Sequence, residues 1–172
     1  VTTSSNYTPQ YWTLSATGEK TINKVGLEGP LMEASRFLSQ ATLGADLATI
    51  EQVANQGIEA WIDDQMTVPQ SQTLDRLNEV FAEVIEWYLV NGGNPDEVST
   101  RPYWTIFNYT WWENHMKNDD LLRQKVALAL SEIFVISIES NLTDAGFGLA
   151  DYYVILLKHS FGNFEDMLRE IS

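Results

Sequence analysis

The sequence predicts an all-α protein: a multi-helix globular bundle entered through an irregular N-terminal arm. Three observations lead there. Apolar residues recur at intervals of three and four from Met32 onward, Gly and Asx residues interrupt those stripes at helix-length spacing, and residues 1–30 show neither that period nor strand alternation. The expected organisation is an arm over 1–30, carrying Tyr7, Tyr11 and Trp12, and a helical module over 31–172 that forms the N-terminal part of a larger domain.

The elements follow in order. Ala34, Phe37, Leu38 and Ala41 share one helical face, and Gly44 stops that helix. Asp46 is a good N-cap for a second helix bearing Leu47, Ile50, Val53 and Ala54, which ends at Gly57. Ile58, Trp61, Ile62 and Met66 mark a third. The clearest stripe is Leu74, Leu77, Val80, Phe81, Val84, Ile85, Tyr88 and Leu89, a face that must be covered. Asn91 to Asp96 breaks the chain, and the aromatic run from Tyr103 to Trp112 resumes as helix. Asn118 or Asp119 then caps a helix from Leu121 to Ile138, apolar nearly all round and therefore expected at the centre. Its β-branched end, Ile133, Val135, Ile136 and Ile138, leaves a strand open as the alternative. Leu149 to His159 and the stripe Phe164, Met167, Leu168 and Ile171 close the chain, with Gly162 and Asn163 between them.

Composition restricts the functional classes. Ten basic residues against 24 acidic ones give a net charge of −14 in 172 residues, which leaves no basic footprint for nucleic acid or an anionic membrane. With 44% apolar residues the chain can still bury a core, so its acidity does not imply disorder. Cysteine is absent, which removes disulfides, thiol nucleophiles and thiolate metal sites. No apolar run reaches the roughly 18 residues of a membrane span. The polar opening from Val1 to Asn6 suits a mature exported terminus, and the stripe running to Ser172 suits a cut through a larger protein.

Two runs, Ala34-Ser35-Arg36-Phe37-Leu38-Ser39-Gln40-Ala41-Thr42-Leu43-Gly44 and Gly57-Ile58-Glu59-Ala60-Trp61-Ile62-Asp63-Asp64-Gln65-Met66, resemble the opening of a bacterial family catalogued as domain of unknown function 1800. The block Leu122 to Val135 is similar to the family's central helix, and Tyr152-Tyr153 with Phe161-Gly162-Asn163-Phe164 is similar to the block that follows it. The resemblance covers about Met32 to Ser172 and implies a mostly helical, exported bacterial protein, longer than this chain. The family's later His-Pro block and its Asn-Glu and Ala-Arg-Glu stretch are missing here. The resemblance supplies no activity.

Candidate chemistry is sparse. His115 and Asp119 stand at a helical spacing that suits metal ligands, but with no third ligand they read as a solvated face, and no metal or cofactor is expected. His159 sits beside Lys158 at a helix end, where a cation complements the last carbonyls. The adjacent pairs Asp63-Asp64, Asp119-Asp120 and Glu165-Asp166 point apart on a helix and read as solvated. Asn91 to Glu97 is oxygen-rich but lacks the order of a calcium loop. Arg36 and Arg123 read as structural ion-pair clamps. Six Trp, seven Tyr and seven Phe are the compositional oddity. Trp104, Phe107 and Trp111 share a core face, which leaves Asn108, Tyr109 and Trp112, together with Tyr7, Tyr11 and Trp12, as the candidate binding residues.

The expected role is therefore binding or structural, at a bacterial surface or in an assembly, with catalysis by these residues alone not expected. The partners are a missing C-terminal part of the same protein or other protein subunits. The alternative is the N-terminal part of an extracellular, polysaccharide-acting hydrolase completed by residues beyond Ser172, for which an acid pair facing a cleft beside Trp112 would speak.

Overall fold

The computed structural model describes residues 12–14, 20–22, 27–136 and 145–172, the first two segments as backbone. Tyr7, Tyr11, Ser137 and Ile138 lie outside the described residues, as does the side chain of Trp12. The chain divides into two compact units, Val1–Asp63 and Asp64–Ser172.

In the first unit, β1 (Trp12–Leu14) pairs antiparallel with β2 (Lys20–Ile22), Trp12 opposite Ile22. The arm read as irregular thus holds one short ladder, whose three-residue strands are too brief to show a period of two. Helix α1 (Pro30–Ala41) starts on a proline, whose fixed φ suits the first turn, and buries Leu31, Ala34 and Leu38. Thr42 closes it by donating its hydroxyl to the Leu38 carbonyl at 2.6 Å. Helix α2 (Leu47–Gln56) begins as expected at Asp46, whose Oδ1 accepts from the Thr49 backbone N–H at 2.8 Å. It ends at Gly57, where a φ of 91° favours a residue without Cβ. Helix α3 (Ile58–Thr67) follows, and its Trp61 packs edge-on against Phe37 at 5.5 Å.

The second unit holds α4 (Thr73–Val90), a 3-10 turn (Pro95–Glu97), α5 (Trp104–Lys117), α6 (Leu121–Ile133), α7 (Gly146–His159) and α8 (Phe164–Ile171). All eight α-helices among the described residues match the all-α expectation. The centre is α7, which touches α4, α5, α6 and α8 and buries Leu149, Ala150, Tyr153, Leu156 and Leu157. The expectation that the Leu121 stripe is central is thereby corrected: α6 buries only Gln124 and Ala127, and its leucines and Val126 are half-buried. It is also shorter than read, ending at Ile133 where the Tyr152 hydroxyl caps the Phe134 carbonyl. Val135 and Ile136 are in neither helix nor strand.

Two further corrections bear on the site. Helix α6 starts after Asp120, not after Asn118 or Asp119, and Asp120 makes no side-chain cap because Ser71 occupies its carboxylate. The α4 stripe is fully covered only in its first half: Leu77 and Val80 are buried, while Ile85 and Tyr88 are half-buried and Val84 and Leu89 exposed. Gly146 sets the height of α7, since its N–H donates to the Pro102 carbonyl at 3.0 Å and a Cβ there would meet that oxygen at 2.5 Å.

Candidate functional site

Two cavities in the second unit share one buried polar chain. The first is an apolar groove of about 340 Å³ between α5, α6 and α7. Phe107 and Trp111, four residues apart on one face of α5, project into it, and the adjacent Tyr152 and Tyr153 of α7 line it from two sides of that helix. Tyr153 meets both Phe107 and Trp111 edge-on at 6.2 Å. Leu128 and Leu149 complete the apolar wall, and Ser131 and Asn108 are its only polar lining among the described residues. At the rim stand Trp112 and Val135, exposed by 57% and 74%.

The second cavity is a polar cleft of about 460 Å³. Ser71 enters it from the turn before α4, Asp75 and Arg76 from α4, Asn114 and Asn118 from α5, and Asp120 from the turn before α6. Asp120 is buried, yet its carboxylate is well satisfied: it accepts from the Ser71 N–H at 2.9 Å, from the Ser71 hydroxyl at 2.5 Å and from Gln124 Nε2 at 3.4 Å. Such donors let a buried carboxylate remain stable without a cation. At the outer wall Arg76 grips Glu113 with two bonds, 2.7 Å and 3.2 Å, and also reaches Glu79 and Glu83. The Arg76 and Lys117 cations hold the Glu113 carboxyl below the ordinary range.

Gln124 joins the cavities. Its amide nitrogen donates to Asp120, and its Oε1 accepts from the Tyr153 hydroxyl at 3.3 Å. The same hydroxyl lies 3.5 Å from His115 Nε2, while His115 Nδ1 is 2.7 Å from the Trp111 carbonyl. The His115 ring lies on the Trp111 indole with centroids 3.8 Å apart. Burial lowers the His115 pKa from 6.5 and raises that of Tyr153, so both stay uncharged at neutral pH.

Among the expected site residues, Asn108 and Trp112 meet at the groove, while Tyr109 is exposed on α5 and does not line it. The solvated readings of His115 and Asp120 are corrected: both are buried, because partners distant in sequence satisfy them. Asp119 is exposed, so it shares no face with His115. Arg123 is a clamp, but to carbonyl oxygens of Leu157 and Val68 instead of a carboxylate, with its guanidinium 4.7 Å over the Phe161 ring. Arg36 is exposed and makes no ion pair among the described residues. His159 bonds Glu170 at 2.6 Å, beside Lys158 at 2.8 Å, which ties α7 to α8. Asn94 accepts from the Asp96 N–H and donates to Glu97, so the oxygen-rich loop bonds to itself. The reading of the residues passed over Gln124, Ser71 and Arg76. Of these only Arg76 left a local signal, Glu79 and Glu83 at three and seven residues on.

Two of the blocks that carried the family resemblance, Leu122 to Val135 and Phe161 to Phe164, are in contact: Arg123 stacks on Phe161, and Phe134 meets Phe164 at 5.7 Å. Comparison with curated proteins and with solved structures finds no match. The family described as Protein of unknown function (DUF1800) matches residues 36–172, most of the chain, and the protein belongs to that family.

Proposed function

We propose that this chain is a binding module, and that the groove beside Trp112 receives an apolar helical segment of a partner protein. The observation that carries this reading is the chemistry of the lining: aromatic and aliphatic side chains, two small polar groups, and no carboxylate among the described residues. Hydrolysis of a glycoside would call for an acid pair across the cleft. The nearby buried acid, Asp120, lines the other cavity and is held by donors. A volume of about 340 Å³ suits one or two large side chains, and an exposed Trp at the rim is a common anchor. The net charge of −14 disfavours a second copy of the chain and favours basic flanks on the partner. An exported, bacterial setting belongs to the same proposal and is supported by the family resemblance alone.

The test is a titration of the chain with a synthetic amphipathic peptide bearing a Leu and Trp face and lysines at both ends, beside a pull-down on insoluble polysaccharide with reducing ends measured. Saturable peptide binding that Trp112→Ala weakens at least about tenfold supports the reading. Retention on polysaccharide with no peptide binding overturns it.

A further inference from the structure

We infer that the groove is acid-sensitive: His115, buried against Trp111 and linked through Tyr153 and Gln124 to Asp120, is a proton switch that loosens the groove floor when it becomes charged. The ligand consequence rests on the binding-module reading, but the switch itself does not.

The geometry sets the resting state. The Trp111 carbonyl can only accept, so the 2.7 Å contact assigns a proton to His115 Nδ1 and leaves the Nε2 lone pair facing the Tyr153 hydroxyl. Tyr153 has one proton and three acceptors within reach, His115 Nε2, Gln124 Oε1 and the Gln124 carbonyl. A second proton on His115 turns Nε2 into a donor, and the Tyr153 proton must then point to Gln124. The two rings that lean on His115, Trp111 and Tyr153, are the rings that floor the groove.

The added charge is met by two main-chain carbonyls, of Trp111 and Gln124, and by no carboxylate in contact. Asp120, at the entry to α6, is the charged group that acts on the imidazole, and it does so across Gln124 instead of in contact. On the α4 side Arg76 is taken by Glu79, Glu83 and Glu113, and on α5 Lys117 also pairs with Glu113. Arg123 of α6 donates to Leu157 and Val68. From α7 comes the Tyr153 hydroxyl, kept protonated by burial. The indole face attracts a cation, but His115 is only 8% exposed, and desolvation outweighs the favourable contacts. Relief comes from separating α5 and α7, which admits water to the ring and breaks the aromatic floor.

The experiment follows the His115 ring protons and the Trp indole N–H signals by NMR from pH 7.5 to 4.5, with affinity for the lysine-flanked peptide measured at the same pH values. The expected result is one shared midpoint for His115 and the Trp111 indole, and an affinity at least about fivefold weaker below it. His115→Gln should remove the pH dependence, while His159→Gln should keep it. Different midpoints, or an unchanged dependence in His115→Gln, overturn the switch. If His115→Gln does not fold, coincidence of the wild-type midpoints decides. A peptide that fails to bind even at pH 7.5 removes the docking reading, and the NMR titration still decides the switch.

Discussion

The guanidinium of Arg123 donates to the main-chain oxygen of Leu157 at 3.2 Å, so a cation on α6 is neutralised by the carboxyl end of α7 and not by an acid. Helix carbonyls near a C-terminus carry partial negative charge, which makes this an ion–dipole clamp. A second nitrogen reaches the Val68 carbonyl at 3.3 Å, and Ser160 returns a bond to the Arg123 carbonyl at 3.2 Å. Arg123→Lys keeps the charge but loses the fork, and should lower stability by about 1–3 kcal/mol in urea unfolding. Wild-type stability in that variant would show that charge alone suffices.

The two glycines at the start of α7 should respond in opposite directions to alanine. At Gly146 a Cβ would stand 2.5 Å from the Pro102 carbonyl, so the backbone must shift, at a cost of about 1–3 kcal/mol. At Gly148 the nearest atom is 3.7 Å away, and the substitution should stabilise by about 0.5–1 kcal/mol through helix propensity. Thermal melts of both variants test the pair, and equal shifts would refute the close approach.

Stability should fall as the solution is acidified, and His115 supplies the first part of that loss. Its folded pKa lies below the ordinary 6.5, so the unfolded chain takes up the proton more readily. The contribution is complete above 6.5 and drains away as pH drops below it toward the folded value. Glu113 and Glu170, whose folded pKa values are also lowered, lose their contributions further down, through the carboxylate range. The fall of melting temperature just below pH 6.5 should therefore be shallower in His115→Gln than in wild type, and equal slopes there would mean that another group dominates.

Gln124 satisfies one buried group on each side of it. Gln124→Leu keeps the volume but leaves the Tyr153 hydroxyl and one face of the Asp120 carboxylate without this partner. The Gln124 main-chain carbonyl and Ser71 still serve those two groups, so a loss of about 0.5–1.5 kcal/mol per missing bond is expected. Unfolding by urea measures it, and a neutral change would mean that water replaces the carboxamide.

Trp112→Ala should separate function from folding. The side chain is largely exposed and meets Trp111 edge-on at 4.9 Å, so the melting temperature should move little while peptide affinity collapses. Loss of both together would make Trp112 a structural residue.

Much of this architecture is local and can be read without coordinates. The cap at Asp46, the stop at Gly57 and the Asn163 cap of α8 each depend on one residue's dihedral preference and a bond two or three residues away. The division of α5 into a face with Phe107 and Trp111 and a face with Trp112 follows from the helical period. The separation of Trp112 from Phe107 was legible for that reason, whereas the groove was not, because its other walls come from α6, α7 and the segment after α6.

What the sequence by itself determined is thus the helices, those of their ends that a local cap or glycine fixes, the family and the acidic balance of charge. Tertiary structure alone decided that α7 is the centre, that Asp120 and His115 are buried, and that Gln124 joins groove to cleft. Ser71 lies 49 residues from Asp120 and Tyr153 lies 38 from His115. A polar side chain in a helix looks the same in sequence whether it meets water or a distant partner. Burial becomes favourable only when folding supplies the donor or acceptor that replaces that water.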